Sequence, residues 1–293
     1  MDKGFDRMII KMDQKVKIEE VYRVVFEGEE VILDDELIKH LKDVRNRLKK
    51  FVDKGNIIYG VNTGFGALSS VLIPRDKILK LQENVIRSHS VGLGEEVNEN
   101  IARAAMLLRL ISLAKGRSGV RWLILEMIKK FLNRSITPLI PIHGSVGASG
   151  DLSPLSHLAL ALIGDNDGKV IYKGRIYKGE ELKKLLKEEI YRDLVEMYSE
   201  YFNLSSPEKP LFKLDFKEGL ALNNGTSFTG GILINALHKL EKLIKLADIA
   251  VALSLEAICG LIDAFNEKLF TQPCENDPKC LTAKNVKILT GYA

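Results

Sequence analysis

The chain has 293 residues, a net charge of +4 and 28% charged residues, with both signs mixed along its length. That balance is a statement about solubility and gives no charge argument for nucleic-acid binding; basic clusters such as residues 45–50 alternate with apolar residues at helical spacing and read as solvated helix faces. No run of about 18 apolar residues is present, so no membrane span is expected, and residues 1–7 carry acidic groups in place of a signal-peptide core, which points to a cytoplasmic protein.

Residues 21–26 and 29–33 are rich in β-branched side chains and flank Gly28, which predicts two short strands and a glycine turn. Asp34 or Asp35 caps a helix carrying Leu37, Leu41, Val44 and Leu48, which Gly55 ends. Pro74 begins another, with Ile78, Leu81, Val85 and Ile86 on one face. Residues 98–116 are strongly helical. Trp122, Leu125, Ile128, Phe131 and Leu132 keep the helical spacing and are assigned to the core. Pro138 and Pro141 break the chain; a helix starts after Asp151, takes Pro154 in its first turns and runs to Ile163. Residues 169–172 and 175–178 flank Lys173-Gly174 as a hairpin, residues 180–201 form a charged helical stretch, and residues 205–210 are a linker. From 224 to 262 the pattern is one long helix with buried stripes.

The architecture expected is mainly α: a mixed N-terminal cap region over the site, followed by the start of a long-helix bundle, with domains at 1–204 and 205–293. Cys259, Cys274 and Cys280 are odd in number and have no histidine cluster nearby, so they read as reduced thiols and not as a zinc site. A Cys274–Cys280 disulfide is the alternative. No metal is expected.

The most informative stretch is Gly144-Ser145-Val146-Gly147-Ala148-Ser149-Gly150-Asp151-Leu152-Ser153-Pro154. Glycine tolerates backbone angles that other residues avoid, so the Gly150 nitrogen can approach the Ala148 carbonyl carbon two residues upstream. Attack there closes a five-membered ring. Loss of two waters, one involving the Ser149 hydroxyl, leaves an exocyclic methylene. The product, a methylidene imidazolone, is an electrophile, whereas ordinary side chains supply nucleophiles, acids and bases.

A lone Ala-Ser-Gly carries little weight, since a Gly/Ser cluster before a helix is usually a solvated loop. Three further blocks occur in order: Tyr59-Gly60-Val61-Asn62-Thr63-Gly64-Phe65-Gly66, Ser88-His89-Ser90-Val91-Gly92, and Lys217-Glu218-Gly219-Leu220-Ala221-Leu222-Asn223-Asn224-Gly225-Thr226. Together with residues 144–157 they resemble the signatures of the aromatic amino acid lyases, most closely the histidine-specific ammonia-lyases, from about Tyr59 to the C-terminus. The resemblance implies their mainly helical fold and a prosthetic group, 4-methylidene-imidazol-5-one, formed from Ala148, Ser149 and Gly150. It implies that Asp151 assists ring formation, although Asp151 also suits a plain helix N-cap. Asn224 matches the asparagine that hydrogen-bonds the imidazolone; outside the motif, Asn-Gly-Thr is a turn. Tyr59 matches the tyrosine beside the substrate amine, and its phenol, with a pKa of about 10, acts as acid or base only where the site perturbs it. Asn62, Thr63, Gly64 and Gly66 shape a loop that bends like a lid, Asn62 and Gly66 lying on the substrate side. His89 matches a position facing the substrate side chain. His143 and His157 border the signature with no role beyond packing.

Departures accompany the match. Ile111 stands where asparagine is usual, Arg117 replaces an aromatic residue or histidine, and residues 275–279 lack the expected His-Pro-Gly-Gln. A second tyrosine, the substrate-carboxylate arginine and a substrate-facing glutamate lie beyond position 293 in the family. The implied reaction is elimination of ammonia from an aromatic amino acid, L-histidine to urocanate. A homo- or hetero-oligomer is expected, in which a second chain supplies the C-terminal half. The alternatives are an inactive helical scaffold, or a lyase or aminomutase for tyrosine or phenylalanine.

Overall fold

The computed structural model describes residues 7–270 and 277–291; Cys274 and most of the N-terminal heptapeptide lie outside that set. The chain divides into one compact unit ending at Asn235 and a second beginning at Ala236.

The first unit opens with β1 (Met8–Ile10), α1 (Ile18–Tyr22) and a π-turn over Arg23–Glu27 that Gly28 ends at φ +76°. Residues 21–26 are therefore helical, not a strand. Val21, Val24 and Val25 are all buried, and their i, i+3, i+4 spacing gives one helical face; periodicity outweighs the β-propensity of valine here. The second expected strand is present as β2 (Val31–Leu33), and it pairs in parallel with β1. Helix α2 (Asp35–Asp53) begins after Asp34 and buries Leu37 and Leu41.

Helix α3 (Arg75–His89) leads into β3 (Leu93–Glu96), followed by α4 (Glu99–Ala114), whose N-cap Asn98 accepts from the Asn100 amide, and α5 (Trp122–Asn133). Strands β4 (Thr137–Pro138) and β5 (Pro141–His143) precede the signature; β5 pairs antiparallel with β3. Helix α6 (Leu152–Ile163) is the unit's centre, with residues 158–163 all at most 1% exposed. Strand β4 pairs with β6 (Lys169–Tyr172), and β6 forms the expected hairpin with β7 (Arg175–Lys178). Lys173 and Gly174 both have positive φ, as a type I′ turn requires. The charged stretch splits into α7 (Gly179–Glu189) and α8 (Arg192–Met197). Arg87 of α3 pairs with the buried Asp165 carboxylate just past α6, at 2.7 Å.

A short helix, α9 (Glu218–Asn223), and the 31-residue α10 (Ser227–Ala257) follow. In the second unit α11 (Pro278–Leu289) packs near two single-turn helices at Ile262–Phe265 and Glu267–Leu269, and its Asn285 donates to Asp248. Cys259 is free and exposed, whereas Cys280 is disulfide-bonded, so the reading of three reduced thiols is corrected at that position.

Helix α9 is too short to persist alone; long-range partners hold it. Glu218, fully buried, accepts from the Arg121 backbone N–H at 3.0 Å, from Arg121 Nε at 2.8 Å and Nη2 at 2.5 Å, and from the Asp215 amide at 2.8 Å. Burial alone would raise its carboxyl pKa; the Arg121 charge and hydrogen bonds, and the Arg45 charge, reverse that and hold it below the ordinary value. Gln82 of α3, also fully buried, offers Oε1 to the Gly219 and Leu220 amides at the N-terminus of α9. Removing one partner of a buried pair strands the other, so Arg121→Met is expected to lower the unfolding free energy by about 3–5 kcal/mol in urea titrations at pH 7. Because the Glu218 pKa is depressed on folding, its contribution is present above the unfolded value of 4.5; the variant's deficit is therefore expected to narrow as the pH falls below that.

Candidate active site

The signature loop between β5 and α6 is exposed from Gly144 to Ser149 and becomes buried at Gly150. Gly150 has φ +139°, a backbone region that favours glycine. A Cβ there would lie 2.7 Å from the Gly225 nitrogen, 2.8 Å from its oxygen and 3.1 Å from Asn224 Oδ1. The glycine is thus needed for close approach: residues 150 and 224–225 are packed backbone against backbone.

Asp151 locks this contact. Its N–H donates to the Gly225 carbonyl at 2.7 Å. Its carboxylate, 1% exposed, does not cap its own helix α6, contrary to the simple N-cap reading. It accepts instead from the Thr229 amide at 2.8 Å and Thr229 Oγ1 at 2.8 Å, in the first turn of α10, and from Ser145 Oγ at 3.0 Å. A carboxylate at the first turn satisfies an orphan amide and complements the positive end of the helix.

Behind Asn224 lies Arg109 of α4, an arginine in an otherwise apolar helical stretch. Its Nη1 donates to the Asn224 carbonyl at 3.1 Å, and its Nη2 donates to the Ala221 carbonyl. Burial lowers its pKa to about 10, which leaves it cationic at neutral pH, beside the C-terminal carbonyls of α9. Any side chain at Gly225 would collide with its guanidinium. Asn223, next to Asn224, donates to Ser156 Oγ of α6 at 3.2 Å. Motif reading does not single out Gln82 or Arg121 as site-supporting residues; for Arg109 the signal is the motif segment in which Ile111 stands where asparagine is usual, which marks the helix but not the contact.

The tyrosine loop is stapled to itself. Asn62 Oδ1 accepts from the Ile58 amide and its Nδ2 donates to the Asn56 carbonyl, both at 2.8 Å, so its carboxamide shapes the loop. Thr63 Oγ1 donates to the Gly64 carbonyl at 2.9 Å. Gly60, at φ +70°, is pressed against Leu220 of α9. Tyr59 is about half exposed, its ring edge-on to Phe65, and its hydroxyl accepts from the Gly66 amide at 3.4 Å. His89, at the end of α3, has Nδ1 2.8 Å from the Val85 carbonyl oxygen, to which it donates; in the neutral ring that tautomer has Nε2 as its acceptor.

The structure therefore brings Gly150 and Asp151 into direct contact with Asn224 and Gly225, and docks the Tyr59 loop on the helix that ends at Asn224. Ala148 and Ser149 stand exposed at the loop crest, and Ile111 and Arg117 make none of these contacts. Asp151→Ala removes charge-assisted hydrogen bonds from a buried helix start; the expected loss in urea unfolding is about 3 kcal/mol, with Asp151→Asn less damaging.

Among the described residues no helix is long and apolar enough to cross a membrane. The family model described as aromatic amino acid lyase matches residues 16–194 and 199–287. A histidine ammonia-lyase from Halalkalibacterium halodurans is 38% identical over 87% of this chain and 46% of its own length. Among solved structures, tyrosine aminomutase from Streptomyces globisporus superposes with a TM-score of 0.80 at 34% identity, over 97% of this chain and 49% of the other. Histidine ammonia-lyase from Trypanosoma cruzi gives 0.78 at 30% identity, over 96% and 50%. The chain spans about half the length of the curated relatives it matches. With its fold and its ordered motifs in agreement, the chain belongs to the aromatic amino acid lyase family.

Proposed function

We propose that this chain is the electrophile-bearing part of an ammonia-lyase that converts L-histidine to urocanate, with a second chain supplying the remaining catalytic groups. The observation that carries the reading is the backbone contact of Gly150–Asp151 with Asn224–Gly225. Residue 150 must be glycine there, which suits a residue whose nitrogen closes a ring, and the Asn224 carboxamide lies beside it. Ala148, Ser149 and Gly150 would form the 4-methylidene-imidazol-5-one group, and Asn224 would hold it. When formed, that group supplies an electron-poor methylene, which makes an amine a better leaving group.

The chain's own residues have distinct tasks in this reading. Asp151 ties the signature loop to Gly225 and Thr229, and Arg109 ties Asn224 to α4. Tyr59, on its glycine-rich loop, takes or gives a proton at the substrate amine. His89 presents Nε2 as an acceptor, which suits an imidazole N–H on the substrate better than a phenyl ring. The same acceptor suits a phenol hydroxyl, and the likeness to a tyrosine aminomutase makes tyrosine the competing substrate.

Two observations support a partner chain. The crest of the site is uncovered, with Val146 90% and Leu93 74% exposed. In the second unit, Leu240, Leu243, Leu246 and Leu253 of α10 are all exposed. A helix apolar on so many sides belongs in a bundle interior, and large open apolar surfaces mark interfaces. The test is to combine the chain with a polypeptide equivalent to the second half of its relatives and follow ultraviolet absorption of acrylate products. Turnover of histidine is expected, slower on tyrosine and phenylalanine, and Ser149→Ala is expected to lower it by about 10³-fold or more, about 4 kcal/mol in activation free energy. Turnover unchanged in Ser149→Ala contradicts the reading.

A further inference from the structure

We propose that His157 is a positioning residue: its Nε2 lone pair, by accepting the Gly92 amide proton, sets the segment 89–92 in register with the signature loop. The inference rests on the reading of His89 as substrate-facing, and it gives a task to a histidine that the motif left without one.

The geometry is specific. The Gly92 N–H donates to His157 Nε2 at 3.0 Å. Ser153 and His157 are four residues apart in α6 and so share one face of that helix. Each addresses a glycine. A Cβ on Gly144 would lie 2.5 Å from Ser153 Oγ, and a Cβ on Gly92 would lie 2.9 Å from His157 Nε2. The two glycines also touch, since that same Gly144 Cβ would lie 3.1 Å from the Gly92 α-carbon. Gly92 is further wedged against Pro141 and the His143 carbonyl. Two chain segments thus cross at a pair of glycines, one leading from His89 and the other into the signature loop; one face of α6 lies against both, and His157 bonds the first.

The β-ladder does little of this work. Strand β3 pairs with β5 at Leu93 and Glu96 only, with an irregularity between them. Gly92 stands just before that ladder, and its amide goes to a side chain. An imidazole accepts at Nε2 only when neutral, with its proton on Nδ1. Burial, and then the charge of Lys169, lower the His157 pKa and favour that form. The charged groups around the adjoining cleft are Glu96, Asp167, Lys169 and Lys178, and His143 borders Gly92. Without the Nε2 acceptor, the Gly92 amide is released and the turn that carries His89 loses its register.

The experiment is amide hydrogen exchange on the full chain, comparing the parent with His157→Leu and His157→Gln. Glutamine places an oxygen near the Nε2 position and leucine places no acceptor there. His157→Leu is expected to speed exchange in the 88–96 peptide about tenfold while peptides from α4 and α9 stay within about twofold, and His157→Gln is expected to restore most of the protection. If His157→Leu does not fold, His157→Asn replaces it, because its shorter carboxamide reaches only the Nδ1 position. Unchanged protection of 88–96 without the acceptor, or loosening spread evenly over α4, α6 and α9, overturns the positioning role. So does failure of His157→Gln to restore protection. These outcomes are independent of whether residues 148–150 cyclise, which is read separately from the mass of the signature peptide in the same digest.

Discussion

One short contact organises the first unit: the Asp151 amide on the Gly225 carbonyl, at 2.7 Å, with Gly150 seated against Gly225. Neither segment is rigid alone. The signature loop is a run of small residues, and Asn224–Gly225 is the gap between a six-residue helix and a long one. Their geometry is imposed from outside, by side chains of other elements. Asp151 serves as both ends of the lock, donating through its backbone and accepting through its carboxylate from the first turn of α10.

Buried polar and charged groups hold the short helix on which that contact depends. Gln82 and the Arg121–Glu218 pair hold the start of α9, and Arg109 holds its end. Acceptors sit at the amide end and a cation at the carbonyl end, which is the polarity a helix favours. The supporting residues come from α3, α4 and the start of α5, so a loss of packing among those helices reaches Asn224 directly. In contrast, the Tyr59 loop is closed by its own side chains, and the crest at Ala148 and Ser149 is exposed. The signature loop is thus buried at its base, at Gly150 and Asp151, and open at its crest.

Local pattern disclosed much of this. Helical periodicity placed α2, α3, α4, α5 and α6, and the Lys173-Gly174 turn placed the hairpin. It failed where chemistry and period disagree: valines at 21, 24 and 25 suggest a strand by type and a helix by spacing, and spacing prevails. It also failed where partners are far apart in sequence. Asp151 looks like the cap of the helix it precedes, yet serves one that starts at Ser227. Gln82, Arg109 and His157 act on residues 65 to 138 positions away, and no local motif announces such pairings. The family motifs supplied names for candidate residues; the fold supplied the reason why glycine stands at 92, 144, 150 and 225.

The proposed function requires that Ala148, Ser149 and Gly150 close the ring within this chain. The most direct measurement is the mass of the peptide spanning residues 144–157, from protein purified under mild conditions. A peptide lighter than its sequence by two waters, restored to full mass by Gly150→Ala or Ser149→Ala after allowing for the substituted side chain, is the predicted result. A peptide of full, unmodified mass in the parent protein contradicts the account.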